Sequence, residues 1–366
     1  KATGNDVFKA NPSTNDWFET IKLNYGVDIA NRKNYFEPIP PVWHKTKDIL
    51  LFWAKKGVDG FRCDVAEMVP VEFWAWVIPE VKKVNPDIIF MGEAYDPTKY
   101  ELYVKTGKFD YLYDKVGLYD ALKRLIKNDS NANVKEIDHV ISKESVNIPQ
   151  HMLRFLENHD EERLASQAFA KNPFVALPAM VVTATLGSGP VMIYFGQEVG
   201  EPGRGIEGFG GDDGRTSIFD YWGVPNHQKW LNGGAFDGGK LNQEEKKLRL
   251  YYQKLLNLCA SNKAIQFGKT ISLNAIKENQ KLFGKKVYGF VRQTANERVL
   301  VIANFDQTTT FNQKIKLPTQ IRDEFDGREK SVILKNALTG AVTQVKDFKE
   351  GLNISLKPSE AIIYSF

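Results

Sequence analysis

The chain has 366 residues, of which 42% are hydrophobic and 26% charged, ordinary proportions for a globular protein with room for one large domain and a smaller one. A formal net charge of +4, with the basic residues spread along the chain, leaves no electrostatic footprint for nucleic acid. No apolar run is long enough to span a bilayer, and the opening Lys-Ala-Thr-Gly-Asn-Asp is not a signal peptide.

Residues 1–45, rich in Asn, Pro and aromatics with weak periodicity, read as an irregular segment. Lys45 to Lys56 reads as an amphipathic helix with Ile49, Leu50, Phe52 and Trp53 as its apolar side and Gly57 as C-cap. Val58–Asp64 is the first predicted strand. Its alternation sends Arg62 and Asp64 one way, Phe61 and Cys63 the other. A helix over Glu72–Val84, broken by Pro86-Asp87, leads to a strand over Ile88–Glu93. Strands over Phe109–Tyr113, Met152–Leu156 and Val191–Phe195 follow, with helices near Leu118–Lys127 and within 173–186. Strands alternating with helices indicate βαβ units and a parallel sheet.

Asn242 to Ala260 is the last long helix. Asn242 and Glu245 are spaced as a capping box, and Leu248, Tyr251, Leu255 and Leu258 form its apolar side. Beyond about residue 265 the texture becomes short strands with no helices between them: Val287–Val291, Val299–Asn304, Ile315–Leu317, Val332–Leu334, Leu352–Leu356 and Ala361–Tyr364. That pattern predicts a separate antiparallel sandwich. Cys63 and Cys259 make neither a disulfide framework nor a metal knuckle and are expected as buried free thiols.

Three carboxylates each close or follow a short apolar run. Asp64 ends Gly-Phe-Arg-Cys-Asp, Glu93 follows Ile-Ile-Phe-Met-Gly, and Asp160 ends Phe-Leu-Glu-Asn-His-Asp. Acids at the carboxyl ends of barrel strands are where a (β/α)8 barrel keeps its catalytic groups, and a pair of acids with a third is equipment for cleaving a glycosidic bond. An Asp at a strand end often only caps the next helix. Arg62 changes that reading, because a guanidinium beside Asp64 favours the ionised form a nucleophile needs. A general acid must instead be held protonated, and Phe90, Met91 and Tyr95 around Glu93, with Asp64 opposite, are expected to supply that setting. His159 suits a hydrogen bond to a sugar hydroxyl, whereas His44, His139, His151 and His227 show no paired metal spacing.

Gly203–Gly214 reads as a lid or rim loop with no phosphate signature. Within it Asp212 and Asp213 read as a solvated turn rather than a cation site. Trp17, Trp43, Trp222 and Trp230 fall in loop-like contexts where a flat ring can meet a sugar, although tryptophan is largely buried on average.

Together these segments resemble glycoside hydrolase family 13, the α-amylase family. The matches run in the family's order: Gly60-Phe-Arg-Cys-Asp64, Gly92-Glu-Ala-Tyr95, Phe109-Asp-Tyr-Leu-Tyr113, Phe155-Leu-Glu-Asn-His-Asp160 and Gly189-Pro-Val-Met-Ile-Tyr-Phe-Gly-Gln-Glu198, then the tail Pro358–Phe366. The resemblance implies a (β/α)8 TIM barrel, here strands four to eight, followed by a C-terminal antiparallel β-sandwich. It divides the chain into 1–45 as the remnant of a loop domain, 46–264 as barrel and 265–366 as sandwich. It implies Asp64 as nucleophile, Glu93 as general acid/base and Asp160 as the acid that orients the sugar, with Arg62, His159 and Tyr95 binding substrate. An α-glucan or maltooligosaccharide is the implied partner, and a retaining two-step route the implied chemistry. By analogy with the family, an extracytoplasmic setting is expected.

The sequence also departs from the family. The family's third-strand motif, an Asp with Asn-His a few residues on, is absent before Asp64, so an N-terminal part of the same enzyme is expected as a further partner. The family's calcium takes a ligand from that motif; it is expected in the complete enzyme and not in this chain alone. Val65-Ala66-Glu67-Met68 replaces the Lys-His that many members carry after the nucleophile. Three readings stay open: a hydrolase, a glucan transferase and a non-catalytic carbohydrate binder.

Overall fold

Proline at a helix's first position loses no hydrogen bond, and Pro41 opens α1 (Pro41–Lys55) on that basis, four residues earlier than the apolar pattern predicted. The computed structural model describes residues 3–219, 223–323, 331–346 and 348–366. They form two compact units, residues 1–113 and 114–366.

In the first unit, the segment expected to be irregular contains a two-residue antiparallel pair, β1 (Val27–Asp28) with β2 (Lys33–Asn34). Helix α1 ends at Lys55 with Lys56 as C-cap, one residue before the expected cap, and Gly57 follows at a φ of +88° that suits glycine. Its buried face is not the predicted one. Ile49, Phe52 and Trp53 are each more than half exposed, while Trp43 and Ala54 are buried. The buried stripe runs through 43, 47, 50 and 54, because Trp43 anchors it on Phe73 and Trp76, at ring distances of 5.5 and 5.7 Å. The Lys47 ammonium lies 5.0 Å over Trp76.

The strands that follow are shorter than predicted: β3 (Gly60–Cys63), then, after α2 (Val71–Lys82), β4 (Ile89–Gly92), and, after α3 (Tyr100–Lys105), β5 (Tyr111–Tyr113). They pair in parallel, with Gly60 opposite Ile89, Cys63 opposite Gly92 and Met91 opposite Tyr111. Phe61 packs on Phe90 at 5.2 Å, on the face that alternation set opposite Arg62. A Cβ on Gly92 would come within 3.0 Å of Leu112 and Phe109, so only glycine lets the strands approach just before Glu93. Helix α2 buries Phe73, Trp74, Val77, Ile78 and Val81, with Trp74 against Phe109 at 5.0 Å.

In the second unit a wide helical turn over Lys115–Tyr119 runs into α4 (Asp120–Ile126), followed by α5 (Lys135–His139). Strand β6 is Met152–Leu153, shorter than the predicted Met152–Leu156. The strand predicted over Val191–Phe195 reduces to one parallel bridge between Arg154 and Val191. The Tyr194 N–H turns instead to the Gln197 side chain at 3.2 Å, and Gly196 bends the chain at φ +84°.

Helix α6 (Leu177–Thr185) is buried at eight of its nine positions, and α7 (Pro225–Leu231) precedes α8 (Gln243–Ser261). The predicted Asn242/Glu245 capping box is present in both directions. The buried stripe of α8 passes through Tyr252 where Tyr251 was expected, since Tyr252 accepts a hydrogen bond from Gln197 at 3.1 Å. Cys63 and Cys259 are free thiols as expected; Cys63 is buried, Cys259 half-buried.

After α9 (Lys263–Phe267) come β7 (Lys269–Ser272), α10 (Lys277–Phe283), β8 (Val287–Gln293), β9 (Arg298–Asn304), β10 (Phe311–Ile315), α11 (Thr319–Asp323), β11 (Ser331–Asn336), β12 (Val342–Lys346), β13 (Leu352–Leu356) and β14 (Ala361–Ser365). Six strands order as β12-β11-β14-β9-β8-β7, and β10 pairs with β13, all antiparallel. Leu300 and Ile302 from the large sheet share a core with Phe311, Ile315, Leu352 and Ile354 from the small one, a sandwich as predicted. The helices α10 and α11 and the strands β7 and β12 were not anticipated. The segments of α10 and β12, Lys-Glu-Asn-Gln-Lys-Leu-Phe and Val-Thr-Gln-Val-Lys, are too polar to announce themselves by apolar periodicity.

Candidate active site

A strand delivers its last side chains at the ladder's carboxyl end, where no further pairing constrains them. At the end of β3, Arg62 lies between two acids. Its Nη1 pairs with the Asp64 carboxylate. Its Nη2 lies 3.0 Å from Glu93 Oε1. Its Nε donates to the Tyr113 hydroxyl at 3.3 Å, from the end of β5. Burial alone would lower the Arg62 pKa, but Tyr113, Glu93 and Asp64 outweigh it and raise the value above the ordinary one.

The two acids stand in different surroundings. The Asp64 side chain is 71% exposed and the Glu93 side chain 4%. Of the residues expected around Glu93, Phe90 packs instead on Phe61, at 5.2 Å. The Glu93 carboxylate accepts the Tyr95 hydroxyl at 2.5 Å and the Val65 N–H at 2.8 Å. Tyr95, predicted to contact substrate, is thus a direct partner of Glu93. Val65, between the two acids in space, has φ 40° and ψ 47°. A β-branched residue is rarely left-handed, so the chain carries local strain directly after Asp64. Hydrogen bonds from Val65 N–H to the Glu93 side chain and from Ala66 N–H to the Glu93 carbonyl, both 2.8 Å, hold it there.

In the second unit, His159 Nε2 lies 3.1 Å from Asp160 Oδ2. Asn158 Oδ1 accepts the N–H groups of Asp160 and Glu161, both at 2.9 Å, which fixes the turn that presents them. Beneath the turn, Glu157 and Arg163 form a fully buried pair at 2.8 Å. Burial pushes the Glu157 pKa up and Arg163 opposes it. Arg163 also donates to the Phe195 carbonyl at 2.9 Å and stacks over Tyr194 at 4.3 Å.

Sequence reasoning missed Tyr113, Glu157, Arg163 and Arg215 as supports. The density of charge in Glu157-Asn-His-Asp-Glu-Glu-Arg163 was the available signal. In the glycine-rich loop Asp212 and Asp213 cap turns of the main chain. Asp213 accepts the N–H groups of Phe209, Gly210 and Arg215, each at 3.1 Å, and Asp212 that of Gly205 at 3.1 Å. Of the tryptophans, Trp43 and Trp230 lie on helices α1 and α7, Trp43 buried; Trp17 is exposed; Trp222 lies outside the described residues. Among the described residues no group of three or more His, Cys, Asp or Glu side chains could hold a metal ion. No described helix is long and apolar enough to cross a membrane.

A parallel ladder with acids at its strand ends, followed along the chain by an all-β sandwich, defines a class that comparison identifies. The family model for the alpha amylase catalytic domain matches residues 36–217, and that for the alpha amylase C-terminal all-beta domain matches residues 279–366. The chain belongs to the α-amylase family, glycoside hydrolases with a TIM-barrel catalytic domain. Alpha-amylase 3 of Dictyoglomus thermophilum is 24% identical over 298 residues, 76% of this chain and 56% of that protein. An alpha-1,4-glucan:maltose-1-phosphate maltosyltransferase of Cereibacter sphaeroides is 39% identical over 84 residues, 23% of this chain and 14% of that protein. A solved Anoxybacillus α-amylase superposes with a TM-score of 0.65 at 22% identity, covering 91% of this chain and 64% of that one. The chain thus spans little more than half the length of the first of these curated relatives.

Proposed function

We propose that this chain carries the reacting groups of a retaining α-glucan glycosidase, acting on starch-type glucans or maltooligosaccharides. The observation that carries the reading is Arg62 bridging an exposed Asp64 and a buried Glu93 at the end of one parallel ladder. In the first step an Asp64 oxygen attacks the anomeric carbon and the glycosidic C–O bond breaks. Glu93 passes its proton to the departing oxygen. In the second step Glu93 takes a proton from water, the water oxygen attacks the same carbon, and the Asp64 ester is released. The Arg62 guanidinium pairs with the Asp64 carboxylate and orients it for attack. The Tyr95 hydroxyl and the Val65 N–H orient the Glu93 carboxyl. Asp160, held by Asn158 and paired with His159, is the third acid in this reading and engages the sugar's hydroxyl groups. Residues 46–264 then supply barrel and 265–366 sandwich.

A fluorinated maltosyl fluoride tests the proposal, because it forms the ester and hydrolyses slowly. An intact-mass increase that maps to Asp64 after digestion is the expected result. Asp64→Asn should abolish the adduct, and Glu93→Gln should slow turnover about 10²- to 10⁴-fold. An adduct on another residue, or full turnover in either variant, overturns the assignment. The name of the Cereibacter relative, a maltosyltransferase, supports a second reading, transfer of a maltosyl unit to an α-1,4-glucan. Product chains longer than the supplied maltooligosaccharide would establish it.

A further inference from the structure

The loop from Gly203 to Gly214 contains no helix or strand, yet three contacts fasten its returning end to the turn that presents Asp160. The Arg163 N–H donates to the Gly214 carbonyl at 2.7 Å. Arg163 Nε donates to the Thr216 hydroxyl at 3.0 Å. Arg215 Nε donates to the main-chain carbonyl of Asp160 itself at 2.8 Å. Of the two donors, Arg163 and Arg215, Arg215 also pairs with a side chain of the loop. Its Nη1 lies 3.1 Å from Asp213 Oδ2, the oxygen that receives the N–H groups of Phe209 and Gly210. The guanidinium therefore has one arm on Asp160 and one on the carboxylate that folds the loop tip.

Neither arm is a buried structural pair. The side chains of Arg215 and Asp213 are 33% and 20% exposed, and the loop's Ile206 and Phe209 are 72% and 52% exposed. The tip's Phe209 meets the exposed Phe219 ring edge-on at 6.3 Å. Asp213 and Arg215 add a polar hold on the tip's main chain, and the same guanidinium donates to the main chain of Asp160. The planar fork of arginine suits this double duty, because Nε and Nη1 donate in different directions from one rigid group, which a lysine ammonium cannot reproduce.

We propose that Arg215 is a positioning residue that couples the glycine-rich loop to Asp160, and that its two arms govern different kinetic parameters. The inference rests on the glucan-cleaving reading. The Asp160 arm aligns the acid with the reacting sugar and so acts on kcat. The Asp213 arm holds the loop tip as a rim for bound glucan and so acts on KM. Arg204 is exposed near the start of the loop and offers trypsin a cleavage site whose rate reports tethering without any substrate.

The experiment compares the full chain with Asp213→Ala, Arg215→Lys and Arg215→Ala, using maltoheptaose turnover and the rate of tryptic nicking after Arg204. Asp213→Ala should raise KM about fivefold and leave kcat within about twofold. Arg215→Ala should lower kcat about 10- to 100-fold as well as raise KM. Arg215→Lys should restore neither parameter fully. Both alanine variants should be nicked about tenfold faster than the parent under native conditions. Parameters within about twofold of the parent in Arg215→Ala, or equal loss of kcat in both alanine variants, would overturn the proposal. If the parent chain neither turns over maltoheptaose nor accepts the covalent trap, the glucan reading fails. The tether is then judged by trypsin alone, and unchanged nicking rejects it.

Discussion

Arg62 and Arg292 are both guanidiniums withdrawn from water, and their settings divide the polar groups of this chain into two kinds. Arg62, on β3, is shared by Asp64 and Glu93, and these partners with Tyr113 raise its pKa against the effect of burial. Arg292, on β8, meets only neutral acceptors: the carbonyls of Ala264, Leu186 and Ile265 at 3.2, 3.1 and 2.7 Å, and the hydroxyls of Thr270 and Ser188 at 2.5 and 2.8 Å. Burial, reinforced by the charge of Arg154, pushes its pKa down to about 10. A cation satisfied by carbonyls ties elements together. A cation shared by two carboxylates, one of them exposed, keeps charge where a ligand can reach it.

Substitution at Arg62 should have the larger consequence. Arg62→Lys retains charge but cannot reach Asp64, Glu93 and Tyr113 together. Hydrogen bonds to charged groups contribute about 1.5–3 kcal/mol each, so loss of one should slow formation of the trapped ester about 10- to 100-fold. The urea midpoint should barely move. An unchanged trapping rate would break the contrast by making Arg62 structural.

Arg292→Met should do the reverse. Leaving several buried acceptors unsatisfied should cost about 2–3 kcal/mol of stability, read by urea unfolding, with the trapping rate in the folded fraction unaltered. A lowered trapping rate would mean that the two regions are energetically linked.

The smallest effect sharpens the carboxylate half of the contrast. Glu201 is buried and accepts the N–H groups of Asn226 and His227 at 3.0 and 3.3 Å. Burial raises its pKa above the ordinary 4.5, with His227 and Arg163 opposing. The folded state therefore binds this proton more tightly than the unfolded state. Stability from this group is present at low pH and is lost as pH rises from 4.5 through the raised folded value. Glu201→Gln should remove that slope, at most about 1.4 kcal/mol per pH unit. Identical pH profiles of urea unfolding for parent and variant would refute it.

The sequence by itself determined what is set within a few residues. The period-2 alternation of β3 separated Arg62 and Asp64 from Phe61, and Asn242 with Glu245 announced the start of α8. Those signals are local because backbone geometry over one turn or one pleat specifies them. Tertiary structure alone decided which stripe of α1 is buried, since the choice rests on Trp43 meeting Phe73 and Trp76. It also decided that Val191–Phe195 leaves the ladder after one bridge, and that the Glu93 carboxylate accepts the Tyr95 hydroxyl and the Val65 N–H. Arg62 reaches Tyr113 51 residues away, and Arg215 reaches Asp160 55 residues away. No periodicity in the chain encodes such pairings, because a side-chain hydrogen bond depends on where the packed elements place its two ends and not on their spacing in sequence.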